Sequence, residues 1–499
     1  MKLSRYQPVA RYFEEPQIEV GEGIFVPDPK MGWTLVGPLG DKSAKYDINI
    51  GIIGDSQSIE ATRNLIERLN VTSYGKDRTF LHVAYPGLGK LRISLNTKGT
   101  AQIDGDSLKT QMENSVSLSN RIELFSFIVE EKIKSLLDKD PSPELLLLAY
   151  PKIVDYYCIE GAIGHRRTRK KSSLEKFVER ERRLHRPLDT FFGMSPPVQE
   201  TFKPTDLRSM IKIICMKYNI PIQILRPHTT SPYNSDIPNR EDDATTYWNL
   251  IVALFYKSNR LPWRVRKIMA DTCYIGISFF RDRSDPASVK TALSQVFSLD
   301  SEGYVFKGRK AITDENYTLH VAKEEATSII KQAIAQYKSS KNDQLPRRVV
   351  VHKTSKFEDY EIEGFKAGLN EGIALDLVAF GTRNLKLLRW GVQPPIRGTM
   401  IRLPDESVLL YTNGFIPYLG MYPGPRVPSP LEILQHLGKS SIDSICEETL
   451  ALTKLNWNNA KFCTKAPITI GFAKRVGEIL RNSPPDSDRF LQNRLKYYI

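Results

Sequence analysis

Residues 205–219 read TDLRSMIKIICMKYN, residues 220–225 IPIQIL, and residues 247–263 YWNLIVALFYKSNRLPW. The pattern predicts a helix, a strand and a second helix. Thr205-Asp206 after Pro204 supplies a helix start, and Ile220-Pro221 breaks the apolar periodicity. Arg208 and Lys212 are four residues apart, which puts both on one helical face near its N-terminal end. There, unpaired backbone N–H groups and the helix dipole already favour an anion. Gln223 interrupts the apolar strand, and Lys257 ends the second helix shortly before Pro262-Trp263. Taken singly, Arg208 and Lys212 read as a solvated helix face and Lys257 as a cation at a helix C-terminus.

The type and order of these elements resemble the MID domain of the Argonaute proteins. In that family a basic or tyrosine residue, a lysine four positions on, a glutamine after a strand and a lysine ending the next helix hold the 5′-phosphate of a guide nucleic acid. The resemblance implies those roles for Arg208, Lys212, Gln223 and Lys257, across a loop from Arg226 to Asp243 that is longer than the family pattern. The sequence ends Lys-Tyr-Tyr-Ile. The resemblance further implies that the carboxylate of Ile499 folds back and helps to bind Mg²⁺ at the phosphate.

Composition is consistent with a polyanionic partner. The 499 residues carry 71 Lys and Arg against 57 Asp and Glu, a formal net charge of +14. Between His165 and Arg186 ten Lys/Arg face three Glu, so a net +7 lies in that one segment. Its latter half reads as a solvated helix, with a capping box from Ser172 to Glu175 and the i,i+4 pair Glu179 and Arg183. Its first half has no balancing acids, and Arg166, Arg167, Arg169, Lys170 and Lys171 are the expected contacts to a nucleic-acid backbone. No stretch has the length and apolarity of a membrane span, and the N-terminus lacks an apolar signal core, so the expected location is the cytoplasm. The five cysteines are odd in number, widely spaced and mostly set in apolar segments, which reads as reduced core residues.

The fold class expected is α/β, a Rossmann-like domain followed by an RNase-H-like domain. Residues 1–45 include FVPDPKMGWTLVGPLG, rich in Pro and Gly, which reads as an extended segment. In residues 46–265, INIGIIG reads as a buried strand, SIEATRNLIERLN as a helix, TFLHVAYPG as a second strand and ELLLLAYP as a third. PGLGKL lacks the spacing of a phosphate loop and reads as a turn. In residues 266–499, CYIGISFF and GYVFKG read as strands with no helix between them. A long helix, the strand RRVVVHKT and a further helix then follow. This succession resembles the PIWI domain of the Argonautes, and LTKLNW, Pro467 and the Phe-Ala helix that follows are its most specific match. The length leaves no room for the N-terminal and PAZ domains of long Argonautes, so the resemblance is to the short prokaryotic class.

Slicing Argonautes hold two metal ions on acidic residues of the PIWI domain, a constellation suited to phosphodiester hydrolysis. At the matching positions stand Ser278, Thr354 and Lys474, and the loop that would carry a further glutamate is not identifiable. The resemblance therefore implies binding without cutting. A guide RNA (or DNA) would pair with a complementary target DNA, and an APAZ-containing effector protein with a TIR, sirtuin-like or nuclease domain would act in defence. The alternative is a guided endonuclease that uses displaced carboxylates such as Asp282, Glu358 or Asp359.

Overall fold

The computed structural model describes residues 9–41, 43–75, 82–160, 204–233, 241–265, 271–281, 289–297, 304–315, 318–383, 385–388, 391, 394–424 and 426–499. The Arg/Lys cluster from Arg166 to Lys171, the capping box after it and Asp282 lie outside these residues.

The first half is built on a wholly parallel four-stranded sheet. Its strands are β1 (Tyr46–Gly54), β2 (Ile93–Gln102), β3 (Leu145–Ala149) and β4 (Ile222–Leu225), arranged β2-β1-β3-β4. Strands β1 and β3 are runs of Ile and Leu because a parallel sheet is covered on both faces. On one face lie α1 (Ser56–Leu69) and α4 (Asp243–Lys257). The other carries α2 (Leu118–Leu137) and α3 (Leu207–Lys217), with Ile122, Phe125, Val129, Ile133 and Leu136 of α2 buried there.

The second half is a mixed nine-stranded sheet. One end of it is β5 (Thr272–Arg281), β6 (Val289–Phe297) and β7 (Tyr304–Lys310) as an antiparallel meander, with β8 (Arg348–Lys353) and β9 (Ala374–Gly381) parallel to β5. The order β7-β6-β5-β8-β9 continues through β12 (Leu431–Leu437), β11 (Val408–Leu410) and β10 (Thr399–Arg402), and the ninth strand, antiparallel to β10 at the edge, is Val9–Tyr12 from the N-terminal segment. Helices α5 (Lys323–Ser340) and α6 (Asp359–Ala367) cover one face of this sheet. Helices α7 (Ile442–Leu452) and α8 (Ile468–Arg481) contribute to the core on the other, which is continuous with the core of the first half. The architecture is thus the expected α/β pair, Rossmann-like then RNase-H-like.

Helix α8 lies so close to β5 that a Cβ on Gly276 would sit 2.3 Å from the carbonyl oxygen of Thr469. Because that neighbour is backbone, Gly276→Ala is expected to destabilise the protein by about 1–3 kcal/mol, read as a lower denaturation midpoint at unchanged slope.

Two expected elements differ. The segment FVPDPKMGWTLVGPLG is not extended throughout, because Pro29–Val36 forms a helix. Asp28 caps it, accepting from the backbone N–H groups of Lys30 and Met31, and Pro29 at the first position has a preset φ. The buried Trp33 on this helix packs edge-on against Trp248, Phe255 and Trp263. The strand expected from TFLHVAYPG is absent from its described part, 82–87, where Tyr85 makes one isolated bridge to Ser73. The strand beside β1 is instead Ile93–Gln102, whose polar residues mark it as a sheet edge.

Candidate nucleic-acid interface

The three elements of residues 205–263 meet α8 and the C-terminal turn around a group of buried cations. Asp206 caps α3 by accepting from the N–H of Ser209 at 3.0 Å, which fixes the helix start and puts Arg208 in its first turn. A cation in that turn opposes the helix dipole, an arrangement that favours an anion beside it. One turn on, Lys212 is buried, and its Nζ donates to the backbone oxygens of Ile499 and Tyr497. Lys257 at the end of α4 is also buried, and donates to the Ile222 carbonyl at 3.0 Å and to Gln223 Oε1 at 2.6 Å. Gln223 in turn donates through Nε2 to the Ile224 carbonyl. The structure therefore brings Lys257 and Gln223 into contact and joins Lys212 to the C-terminal turn.

Sequence reading missed Arg475. It follows Lys474 on α8 and is half-buried, its charge acts on Lys212 and Lys257, and the charge of Arg208 acts on it. Its signal was the position itself. In a helix with an apolar face formed by Ile468, Phe472, Val476 and Ile479, a half-buried Arg marks the side turned toward the first half.

The electrostatic consequence is large because few acids offset these charges. Burial, then the neighbouring Lys257, Arg208 and Arg475, hold the Lys212 ammonium well below the ordinary lysine range. Burial, then Arg208 and Arg475, pull Lys257 down to about 7. The Arg475 guanidinium is lowered by burial and by Arg208, against an opposing pull from Glu478. Buried charges are normally paired with opposite charges. Lys257 has only neutral oxygens as hydrogen-bond acceptors.

A divalent cation wants a shell of oxygen ligands. Among the described residues no group of three or more His, Cys, Asp or Glu side chains could hold a metal. The pocket offers the Ile499 oxygen, and a phosphate would have to bring further oxygens.

At the RNase-H-like end, β5 and β8 run parallel with Gly276 opposite His352, so Ser278 and Thr354 each follow two residues beyond that pair. Ser278 is buried and its Oγ has no hydrogen-bond partner among the described residues, while Thr354 and Lys474 are exposed. Of the two described displaced carboxylates, Glu358 caps α6 and Asp359 begins it, and both are exposed. The fully buried acid nearby, Glu361, is held by Lys353, whose Nζ lies 2.6 Å from each carboxylate oxygen.

A parallel four-stranded sheet joined through one core to an RNase-H-like sheet, with cations at the junction, is an Argonaute-like fold. The chain is similar to the solved structure of Clostridium butyricum Argonaute bound to a guide DNA and a 19-mer target DNA, at a TM-score of 0.57 and 16% identity over 96% of this chain and 54% of that one. It is similar to Drosophila Piwi at a TM-score of 0.59 and 15% identity, over 98% of this chain and 56% of that one. It is also similar to Aa-Ago with externally bound siRNA, at a TM-score of 0.52 and 15% identity, over 94% and 53%. The chain thus spans about half the length of these proteins. No protein-family model matches it, and no curated protein does. Among the described residues no helix is long and apolar enough to cross a membrane.

Proposed function

We propose that this protein is a short Argonaute that holds the 5′-phosphate of a guide RNA or DNA, recognises a complementary target DNA, and activates a separate APAZ-containing effector in defence without cutting the target. The observation that carries the reading is the convergence of Arg208, Lys212, Lys257 and Arg475, with Lys257 bonded only to neutral acceptors. Such a cluster suits a phosphate monoester, whose charge at pH 7 is about −1.5 to −2. Lys212 and Lys257 would supply charged donors, and Gln223 would orient Lys257. Target sequence would be read by base pairing, with the protein contacting backbone. The segment from Arg166 to Lys171 would add backbone contacts.

Mg²⁺ would enter with the phosphate, using the Ile499 oxygen as its ligand from the chain, and would screen the phosphate charge. Loss of affinity for a 5′-phosphorylated oligonucleotide on adding EDTA supports this part, and an unchanged affinity removes it.

The non-slicing part rests on Ser278, Thr354 and Lys474, which offer a two-metal site two hydroxyls and a cation in place of carboxylates. The test is the purified chain with guide, matched target and Mg²⁺ or Mn²⁺, alone and co-expressed with the product of its genomic neighbour. The expected result is no cleavage by the chain alone and a change in the neighbour's activity when target pairs with guide. Cleavage by the isolated chain, with no response from the neighbour, would replace this reading with the displaced-carboxylate endonuclease.

A further inference from the structure

Helices α2, α3 and α4 end around a second cleft, of about 560 Å³, which the C-terminal segment closes from the second half. That size lies within the range of small-molecule sites, about 300–1,000 Å³. Helices α3 and α4 each finish on an asparagine in the left-handed region, Asn219 at φ 53° and Asn259 at φ 62°, a conformation that a short polar side chain tolerates. Both asparagines are exposed and line the cleft. The C-terminal segment takes the oxygen of each carboxamide: the Tyr497 hydroxyl donates to Asn219 Oδ1 at 2.6 Å, and Lys496 Nζ donates to Asn259 Oδ1. Each NH₂ group is left as a pair of donors, and neither has an acceptor among the described residues.

Arg494 and Lys496 also line the cleft. Arg494 is exposed, while Lys496 is buried with its Nζ 5.0 Å from the centre of the Tyr497 ring. The one carboxylate among the lining residues is Glu144, whose Oε1 already accepts from Arg260 at 3.2 Å and from the Asn49 N–H at 3.1 Å. Helix C-termini carry partial negative charge, which opposes an anion. Here the last carbonyls are capped. Met216 O accepts from the Asn219 N–H and from Gln492 Nε2, Cys215 O from the Ile220 N–H, Tyr256 O from the Asn259 N–H and Phe255 O from the Arg260 N–H. The lining is thus richer in donors than in acceptors, and it carries two cations to one carboxylate.

We propose that this cleft binds a phosphate-bearing small molecule, held by Arg494, Lys496 and the carboxamide N–H groups of Asn219 and Asn259. An arginine fork, an ammonium and amide donors together suit an oxyanion with several acceptor oxygens. The turn that places Lys496 and Tyr497 in the cleft also gives Lys212 its backbone acceptors, Tyr497 O and the Ile499 oxygen. An occupant that fixes this turn favours the ligand that the turn helps to hold beside Lys212, so the two ligands raise each other's affinity. The cleft stands apart from the 5′-phosphate reading of the first pocket, and the coupling rests on it.

The experiment is calorimetric titration of the full chain with ADP, with adenosine as the phosphate-free control, after saturation with a short 5′-phosphorylated oligonucleotide that fills the other pocket. The expected result is one ADP per chain and no heat with adenosine. Arg494→Ala and Asn219→Gly should each weaken ADP binding by about tenfold at an unchanged thermal midpoint. The Arg494 side chain is exposed, and glycine keeps the left-handed turn and leaves the Tyr497 hydroxyl the Asn219 carbonyl at 3.2 Å. No ADP binding up to about 1 mM, or binding that both variants keep, overturns the site. ADP that a longer oligonucleotide displaces means that strand backbone fills the cleft, which overturns the small-molecule assignment. For the coupling, saturating ADP should tighten the 5′-phosphorylated oligonucleotide about fivefold, leave the 5′-hydroxyl form unchanged and have no effect in Arg494→Ala. ADP that binds without this effect overturns the coupling and leaves the site. No 5′-phosphate preference with or without ADP overturns the pocket reading, and the cleft then stands on the ADP titration alone.

Discussion

Replacing Arg208 or Lys212 is expected to weaken binding of a 5′-phosphorylated oligonucleotide by on the order of ten- to a hundredfold each, because a charge-assisted contact contributes about 1.5–3 kcal/mol. The matched 5′-hydroxyl oligonucleotide should lose far less. Arg208→Ala is the cleaner variant, since the side chain is half-buried at the start of α3. Lys212→Met keeps most of the buried volume but leaves the Ile499 and Tyr497 oxygens without that donor. It therefore needs a check of thermal stability beside the binding measurement. Arg475→Ala belongs in the same series, because it removes a cation supplied by the second half of the chain. Its effect should track Arg208→Ala in the 5′-phosphate to 5′-hydroxyl ratio. Equal losses for both oligonucleotides in all three variants would mean that these cations contact the backbone at large and that the pocket has no role in reading the end. Backbone contacts would also appear as a changed dependence on salt common to both ligands.

The residues of this pocket show what the sequence made legible. Arg208 and Lys212 were readable because helical spacing and a capped helix start fix where two side chains point, whatever the rest of the fold does. Lys257 was readable as a helix end, but its contact with Gln223 was not. That contact depends on α4 returning beside β4, and the intervening loop hides the geometry. Arg475 was missed because its partners lie far away in sequence and come together only when α8 packs near α3. The parallel sheet announced itself through continuous apolar runs in β1 and β3. The edge strand β2 did not, since Asn96, Thr97 and Lys98 give it the polarity of a loop. The helix Pro29–Val36 was hidden by the same Pro and Gly residues that bound it: Pro29 begins it and Gly37, at φ 83°, ends it. The interlock at the junction was legible only as a motif. In the structure LTKLNW places Trp457 against Tyr256 in a stack, donates from the Trp457 indole to the Trp263 carbonyl, and accepts from the Trp263 indole at the Lys454 carbonyl.

Lys353→Met is expected to be among the most destabilising single substitutions in the second half, at about 3–5 kcal/mol. The Lys353 ammonium and the Glu361 carboxylate are both fully buried and 2.6 Å apart, in a sheet–helix layer otherwise filled by apolar side chains. Besides Lys353, the carboxylate accepts from the N–H groups of Val321 and Glu358 and lies 3.2 Å from His320 Nδ1. The two N–H dipoles can orient Glu361 but cannot cancel its charge. Removing the lysine alone leaves a buried carboxylate without its cation, so Glu361→Gln in the same chain should restore a large part of the loss. Denaturant unfolding of the wild type, the two single variants and the double variant gives the coupling directly. Additive losses would show that the two groups act independently. The pair also bears on whether this half cuts. Glu361 is the buried acid closest along the chain to Thr354, and a metal ligand must offer free lone pairs to the ion. With its oxygens committed to Lys353 and to two backbone donors, Glu361 stabilises α6 against β8 and is not available to a metal. Lys353→Met, assayed below its unfolding temperature with guide, target and Mn²⁺, should accordingly remain without cleavage. Cleavage gained by that variant and lost again on adding Glu361→Gln would show instead that Lys353 restrains a nuclease.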